Sequence, residues 1–228
     1  MSDYNLNGIN IFSDLSEEEC DSLRPLCKSR NYLKNSMIIL EEEYGDLVFA
    51  VKTGTIKITR VNDEGKEVIL ALLGPGEMFG ELAILDGEAR SANALAQENC
   101  ELLAINKEDF LDILKKYPTV SYNVMCELAK RLRKSDQQIE ALSLSDAEHR
   151  IGVSLLNLAE DMGVIRKGKV TIQNLPFQQD IANMAGTSRE TVSRVLKILE
   201  NKNMIFKEGH TLIIPDYGFF KQIFGKTF

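Results

Sequence analysis

The 228 residues, 44% hydrophobic and 27% charged, can bury a real core, which excludes a disordered chain and makes two domains the starting expectation. The net charge of −7 divides unevenly, net −9 up to Ser145 and net +2 over residues 146–228, so only the second part is expected to meet phosphates. No stretch reaches the roughly 18 to 20 apolar residues needed to span a bilayer, and MSDYNLNGIN lacks the basic and apolar regions of a signal peptide, so the expected location is the cytoplasm, with no membrane partner.

A short helix opens the chain in LSEEECDSLRPLC, where Ser16 is a good N-cap before three glutamates. Residues 36–106 then alternate apolar and polar positions between Gly45, Gly54, Gly65, Gly74, Gly76 and Gly87, the pattern of an antiparallel β-roll, with Asp63-Glu64-Gly65 as a hairpin turn. From Lys107 the period becomes helical, first in KEDFLDILKKY and, after Pro118, in a long run to Ser145. There Leu128, Leu132, Ser135, Ile139 and Leu142 recur at heptad spacing, expected as a coiled-coil seam between two copies, the other reading being a helix packed on its own barrel. Asp146 is placed as a hinge and as the N-cap of a helix in AEHRIGVSLLNLAEDMG. A strand or hairpin follows in GKVTIQNL, then two helices with a tight turn in FQQDIANMAGTSRETVSRVLKILENKN, then a two-stranded wing in MIFKEGHTLIIP. The fold class is therefore α+β: a sensor β-roll over 1–118, a dimerisation helix over 119–145 and a winged helix-turn-helix over 146–228.

Ala182, Gly186 and Val192 have the spacing that a helix-turn-helix requires: a small residue at the crossing, a residue tolerating left-handed geometry in the turn, and an apolar anchor in the second helix. Thr187 and Ser188 are expected to cap that helix and meet phosphate, while Arg189, Glu190 and Arg194 project toward base edges. An arginine fork suits guanine and a carboxylate suits the cytosine amino group. Lys202 and Lys207 are expected to add phosphate attraction, and the partner is double-stranded DNA. The alternative is a solvated face with ion pairs one turn apart.

The richest segment of the roll is GEMFGELAILDGEARSANA. Amides at the start of a short helix (Gly80, Glu81, Leu82, Ala83), the Arg90 guanidinium and the Ser91 hydroxyl make an anion cradle, and Glu81 suits a sugar hydroxyl. Sugar with phosphate means a nucleotide. An internal ion pair between Arg90 and Glu81 is the other reading. Cys20, Cys27, Cys100 and Cys126 are widely spaced and read as reduced, mostly buried thiols, with an iron–sulfur sensor as the alternative. His149 and His210 both fall outside the roll, against haem, and no metal is expected. No G-x-S-x-G, Walker loop, H-E-x-x-H or cysteine–histidine neighbourhood occurs, so no enzyme is expected.

FGELAILDGEARSANA resembles the phosphate-binding cassette of the cyclic AMP receptor protein and FNR (CRP/FNR) superfamily, and GTSRETVSRVLKILE resembles its recognition helix. The resemblance covers nearly the whole chain in the same order. It implies that Gly80 and Ser91 contact a cyclic phosphate, Arg90 its charge and Glu81 the ribose 2′-hydroxyl, and that Arg189, Glu190 and Arg194 read a TGTGA-type half-site. It further implies cyclic AMP as allosteric ligand, a homodimer and RNA polymerase as partner. Two hydroxyl residues from the dimer helix would face adenine. Ser135 fits that pattern; Asp136 departs from it, which leaves open a guanine edge or another effector, such as cyclic GMP, a cyclic dinucleotide, a redox or haem signal, or none.

Overall fold

The computed structural model describes residues 5–225. The chain divides into two compact units: one runs to Lys66 and resumes over Leu70–Arg131, and the other comprises Glu67–Ile69 and the residues from Leu132 onward.

Helix α1 (Glu17–Leu23) starts at a capping box. The Ser16 hydroxyl accepts from the Glu19 amide at 3.2 Å, and the Glu19 carboxylate accepts from the Ser16 amide at 2.9 Å. The roll follows as β1 (Lys28–Tyr32), β2 (Met37–Ile39), β3 (Leu47–Thr53), β4 (Ile56–Val61), β5 (Glu67–Leu73), β6 (Met78–Phe79), the short α2 (Leu82–Asp86), β7 (Asn93–Ala96) and β8 (Cys100–Asn106). One four-stranded sheet has the order β1-β8-β3-β6 and the other β2-β7-β4-β5. The hairpin expected at residues 63–65 joins β4 to β5.

Strands β3 and β8 do not alternate as the sequence reading expects, because both of their faces are covered. Phe49 and Val51 of β3, with Leu102 and Ala104 of β8, fill the interior of the roll beside Ile56, Phe79 and Ala94. Val48, Ala50, Leu103 and Ile105 point the other way, into a second core with Phe12, Leu23, Phe110, Ile113 and Val120. A strand sandwiched on both faces loses its polar half. Helix α3 (Lys107–Lys116) supplies Phe110 and Ile113 to that outer core and is capped by Asn106, whose side chain accepts from the Asp109 amide at 2.8 Å.

Helix α4 (Pro118–Leu144) carries three distinct faces. Val120, Val124 and Leu128, spaced by four, pack against the outer core of the roll, and Arg131 continues their line. Tyr122, Met125, Leu132 and Ile139 form an outward line, each between 60% and 64% exposed. Ala129 and Asp136 occupy the intervening positions of that heptad line. Ala141 is buried on a third side.

The second unit is built on α5 (Ala147–Met162), whose Ile151, Leu155 and Ala159 are fully buried. Asp146 caps it, accepting from the His149 amide at 2.9 Å. Strands β9 (Gly163–Arg166) and β10 (Lys169–Ile172), helices α6 (Gln178–Ala185) and α7 (Arg189–Asn201), strands β11 (Phe206–Glu208) and β12 (Thr211–Ile214), and helix α8 (Tyr217–Phe224) complete it. The wing is broader than the expected two strands: β11 and β12 join β10 and β9 in one sheet, order β11-β12-β10-β9. Helix α8 is an addition to the sequence reading; its Phe220 and Phe224 are buried, and Phe224 lies against Gly152 of α5.

Candidate effector pocket and DNA-reading helix

Gly80 ends β6 in left-handed geometry, φ +82°, and turns the chain into α2. A Cβ there would lie 2.8 Å from Arg90 Nη1 and 3.2 Å from the Leu47 carbonyl oxygen, so glycine is required both by conformation and by the close approach of the guanidinium. Arg90 is buried. Its Nη1 donates to the Gly80 carbonyl at 2.6 Å and its Nη2 to the Leu47 carbonyl at 2.7 Å. The Arg90 backbone is held as well, its amide donating to the Glu43 carbonyl and its carbonyl accepting from the Glu42 amide, each at 2.9 Å. Burial lowers the guanidinium from its ordinary value, and Asp46 and Glu81 oppose that shift.

Glu81 is the most deeply buried acid of the cassette, 1% exposed. Its Oε1 accepts from Arg131 Nη1 at 2.8 Å, and the other guanidinium nitrogen of Arg131 donates to the Met78 carbonyl. Glu81 Oε2 is buried with no hydrogen-bond partner among the described residues. Desolvation pushes this carboxyl up, with Arg131 and then its own backbone amide and Arg90 pulling the other way. The internal pair considered between Arg90 and Glu81 is thus replaced by two separate attachments, Arg90 to backbone carbonyls and Glu81 to Arg131. The sequence reading passed over Arg131. Its signal was its place at the end of the Val120, Val124, Leu128 stripe, where the next residue facing the roll is basic.

Among the other cassette residues, Ala83 is buried while Leu82 is 43% exposed. Ser91 is exposed at a bend. Asn93, absent from the sequence reading, accepts through Oδ1 from the Glu41 amide at 2.9 Å and holds the strand beside Arg90's loop partners. The residues fit a sugar phosphate: the unsatisfied buried Glu81 oxygen can accept from a hydroxyl, and the buried Arg90 guanidinium favours an anion beside it.

On α4, Leu132 and Ile139 stand on the outward heptad line, whereas Leu128 is turned to the core of its own roll. Ser135 is exposed beside that line and Asp136 lies on it. Leu142 comes close to the turn between α6 and α7, its Cδ2 lying 2.8 Å from where a Gly186 Cβ would be.

Thiol chemistry is disfavoured by position. Burial pushes Cys27 up to about 12, helped by Asp109, and burial also raises Cys20 and Cys100. Such thiols stay protonated near neutral pH and make poor nucleophiles.

In the second unit Ala182 and Val192 are fully buried where α6 crosses α7. Gly186 occupies the left-handed region, φ +58°, ψ +47°, and closes α6. The Thr187 amide donates to the Ala182 carbonyl at 3.0 Å, and the Ser188 hydroxyl caps α7 by accepting from the Thr191 amide at 3.2 Å. Val192, Val195, Leu196 and Leu199 bury one side of α7, leaving Ser188, Arg189, Glu190, Ser193, Arg194 and Lys197 exposed together on the other. Glu190 is held below the usual carboxylate range by its own backbone amide and then by Ser188. Lys207 and Arg189 line a cleft of about 390 Å³ with Phe177 and the wing residues Gly209 and His210. Lys202 lies elsewhere, past the far end of α7, and is paired with Glu148 at 2.8 Å.

The cyclic nucleotide-binding domain family matches residues 29–117, and the Crp-like helix-turn-helix domain family matches residues 149–223. The "Cyclic AMP receptor protein" of Thermus thermophilus is 36% identical over 96% of this chain and 98% of its own length. The "cAMP-activated global transcriptional regulator CRP" of Haemophilus influenzae is 31% identical over 87% and 92%. A solved structure of a CooA mutant from Carboxydothermus hydrogenoformans is 25% identical over 97% and 96%, with a TM-score of 0.77. With both domains matched in order around the cassette and the reading helix described above, the chain belongs to the CRP/FNR superfamily of transcription regulators.

Proposed function

We propose that the protein is an effector-responsive regulator that binds palindromic TGTGA-like operators in double-stranded DNA as a homodimer, with cyclic AMP as its allosteric ligand and RNA polymerase as a cytoplasmic partner. The observation that carries the reading is the Glu81 carboxylate, buried, half-satisfied by Arg131 and adjacent to the buried Arg90 guanidinium. Glu81 would accept from the ribose hydroxyl, and Gly80, Arg90 and Ser91 would meet the phosphate. The outward line of α4 would form the dimer seam, and Arg189, Glu190 and Arg194 would read bases while Thr187, Ser188 and Lys207 meet phosphates. An effector favouring the dimer state with both reading helices one turn of DNA apart raises DNA affinity by its differential affinity for that state. The names carried by the relatives support cyclic AMP.

A second reading follows from Asp136. A carboxylate on the seam line accepts hydrogen bonds only, and its two oxygens match the adjacent N1–H and N2–H2 donors of guanine, where adenine offers only its N6 amino group, which keeps cyclic GMP or a cyclic dinucleotide as the alternative effector. Fluorescence anisotropy of a labelled TGTGA palindrome, titrated at one salt concentration with and without cyclic AMP, decides between them. Tight binding only with cyclic AMP supports the first reading. Unchanged binding retains the regulator and moves the search to the guanine nucleotides.

A further inference from the structure

The wing carries a histidine at its tip. Strand β11 ends at Glu208, Gly209 turns the hairpin in left-handed geometry, φ +59°, and His210 follows before β12. A Cβ on Gly209 would meet nothing within 4 Å, so the tip is open and glycine serves the turn alone. The exposed His210 is nevertheless held from two directions. Its carbonyl accepts from the Leu175 amide at 2.7 Å, and its ring packs edge to face with that of Phe177, centroids 6.2 Å apart and planes at 87°. Both rings border the cleft of about 390 Å³ beside the start of α7. The charged side chains lining that cleft are Arg189 from α7 and Lys207 from β11. The acids adjacent in sequence, Asp180 and Glu208, are not in the lining, nor is any other carboxylate among the described residues. A cleft that gathers two cations and an imidazole without an acid matches an anion, and the anion running past a reading helix is the DNA backbone.

We propose that His210 makes the hold on DNA pH-sensitive: the cleft seats a backbone phosphate against Lys207 and Arg189, and the imidazole adds a further positive charge there only when it is protonated. The proposal rests on the DNA reading of this unit and goes beyond it, naming a residue outside the reading helix and the condition under which it acts. Histidine is the side chain that changes charge between about pH 5 and 8. An anion beside it favours the charged form, so the proton is held more tightly in the complex than in the free protein. The added affinity is therefore fully present at acid pH and is lost as pH rises through the value at which the bound imidazole titrates. The chain has one other histidine, His149, which lies in the first turn of α5 against Phe224 and does not line the cleft. Glu81, whose carboxyl burial pushes up, belongs to the effector pocket.

The test is fluorescence anisotropy on the full-length protein with saturating cyclic AMP at one salt concentration, from about pH 6 to about pH 8. Two labelled duplexes are used, the TGTGA palindrome and a scrambled sequence of the same length. Relative to His210→Gln, the wild-type protein is expected to gain about threefold or more in affinity toward the acid end, on either duplex that it binds. Taking the ratio of the two proteins at each pH removes any titration of Glu81 or His149. His210→Lys, which is charged throughout, is expected to bind near pH 8 as tightly as the wild type does near pH 6. Lys207→Gln is expected to weaken binding at every pH and keep the trend. A His210→Gln protein with the wild-type pH profile overturns the proposal, as does a His210→Lys protein that gains nothing at the alkaline end or a Lys207→Gln protein of unchanged affinity. If the palindrome is bound no better than the scrambled duplex while the ratio still changes with pH, the operator reading fails and the phosphate site stands. A protein that binds neither duplex rejects both.

Discussion

At the scale of single residues, the cassette is held by groups whose positions admit few substitutes. Gly80→Ala combines a positive φ with a Cβ placed against Arg90 and the Leu47 carbonyl, and is expected to destabilise the protein by about 1–3 kcal/mol in urea denaturation. Arg194→Ala removes an exposed guanidinium from the reading helix while leaving Val192 and Val195 buried, so it is expected to cost about 1–3 kcal/mol of discrimination at one base pair in competition binding, without loss of effector affinity. The close approach of Gly80 and Arg90 and the helix–turn–helix geometry of residues 186–194 were legible in the sequence because each motif is contiguous and carries its own turn chemistry. Arg131 was not, since its role depends on which side of a long helix meets the roll, a tertiary fact that spacing alone leaves open.

Elements explain the remaining differences. The heptad spacing of Leu128, Leu132, Ser135, Ile139 and Leu142 falls on a helix that has more than one apolar side. Leu128 serves its own roll, so the exposed line runs through Tyr122, Met125, Leu132 and Ile139 instead. Strand β9 escaped the sequence reading because it follows α5 without a turn signal, Gly163 being at once the helix C-cap and the first strand residue. Helix α8 escaped because YGFFKQIF is too short to show a period and draws its order from packing. That packing makes a sharp prediction. A Cβ on Gly152 would meet the Phe224 ring at 2.1 Å, so Gly152→Ala is expected to displace α8 and cost about 1–3 kcal/mol in thermal or chemical unfolding, despite the higher helix propensity of alanine. Truncating the ring by Phe224→Ala in the same protein should recover part of that loss by relieving the clash.

For the whole molecule, fold class and domain order followed from the switch between strand and helix periods and back again, which is a long-range signal robust to local error. Charge follows the same division. Acidity is concentrated before Ser145, and the exposed cations of α7 and the wing lie after it. Binding to DNA is accordingly expected to weaken steeply as salt rises, releasing counterions from the phosphates that those few cations neutralise.

The outward line of α4 carries an opposite consequence. Its apolar residues are interrupted by Asp136, and in a parallel pairing of two copies each such carboxylate meets its twin across the axis. Screening relieves that repulsion, so moderate salt should tighten self-association, measured by sedimentation equilibrium, over the range in which it loosens the grip on DNA. Asp136→Asn should abolish the first trend and spare the second. Ionic strength would then act on this regulator as two levers of opposite sign, one on its assembly and one on its operator, with an intermediate concentration at which occupancy of DNA by the paired form is greatest.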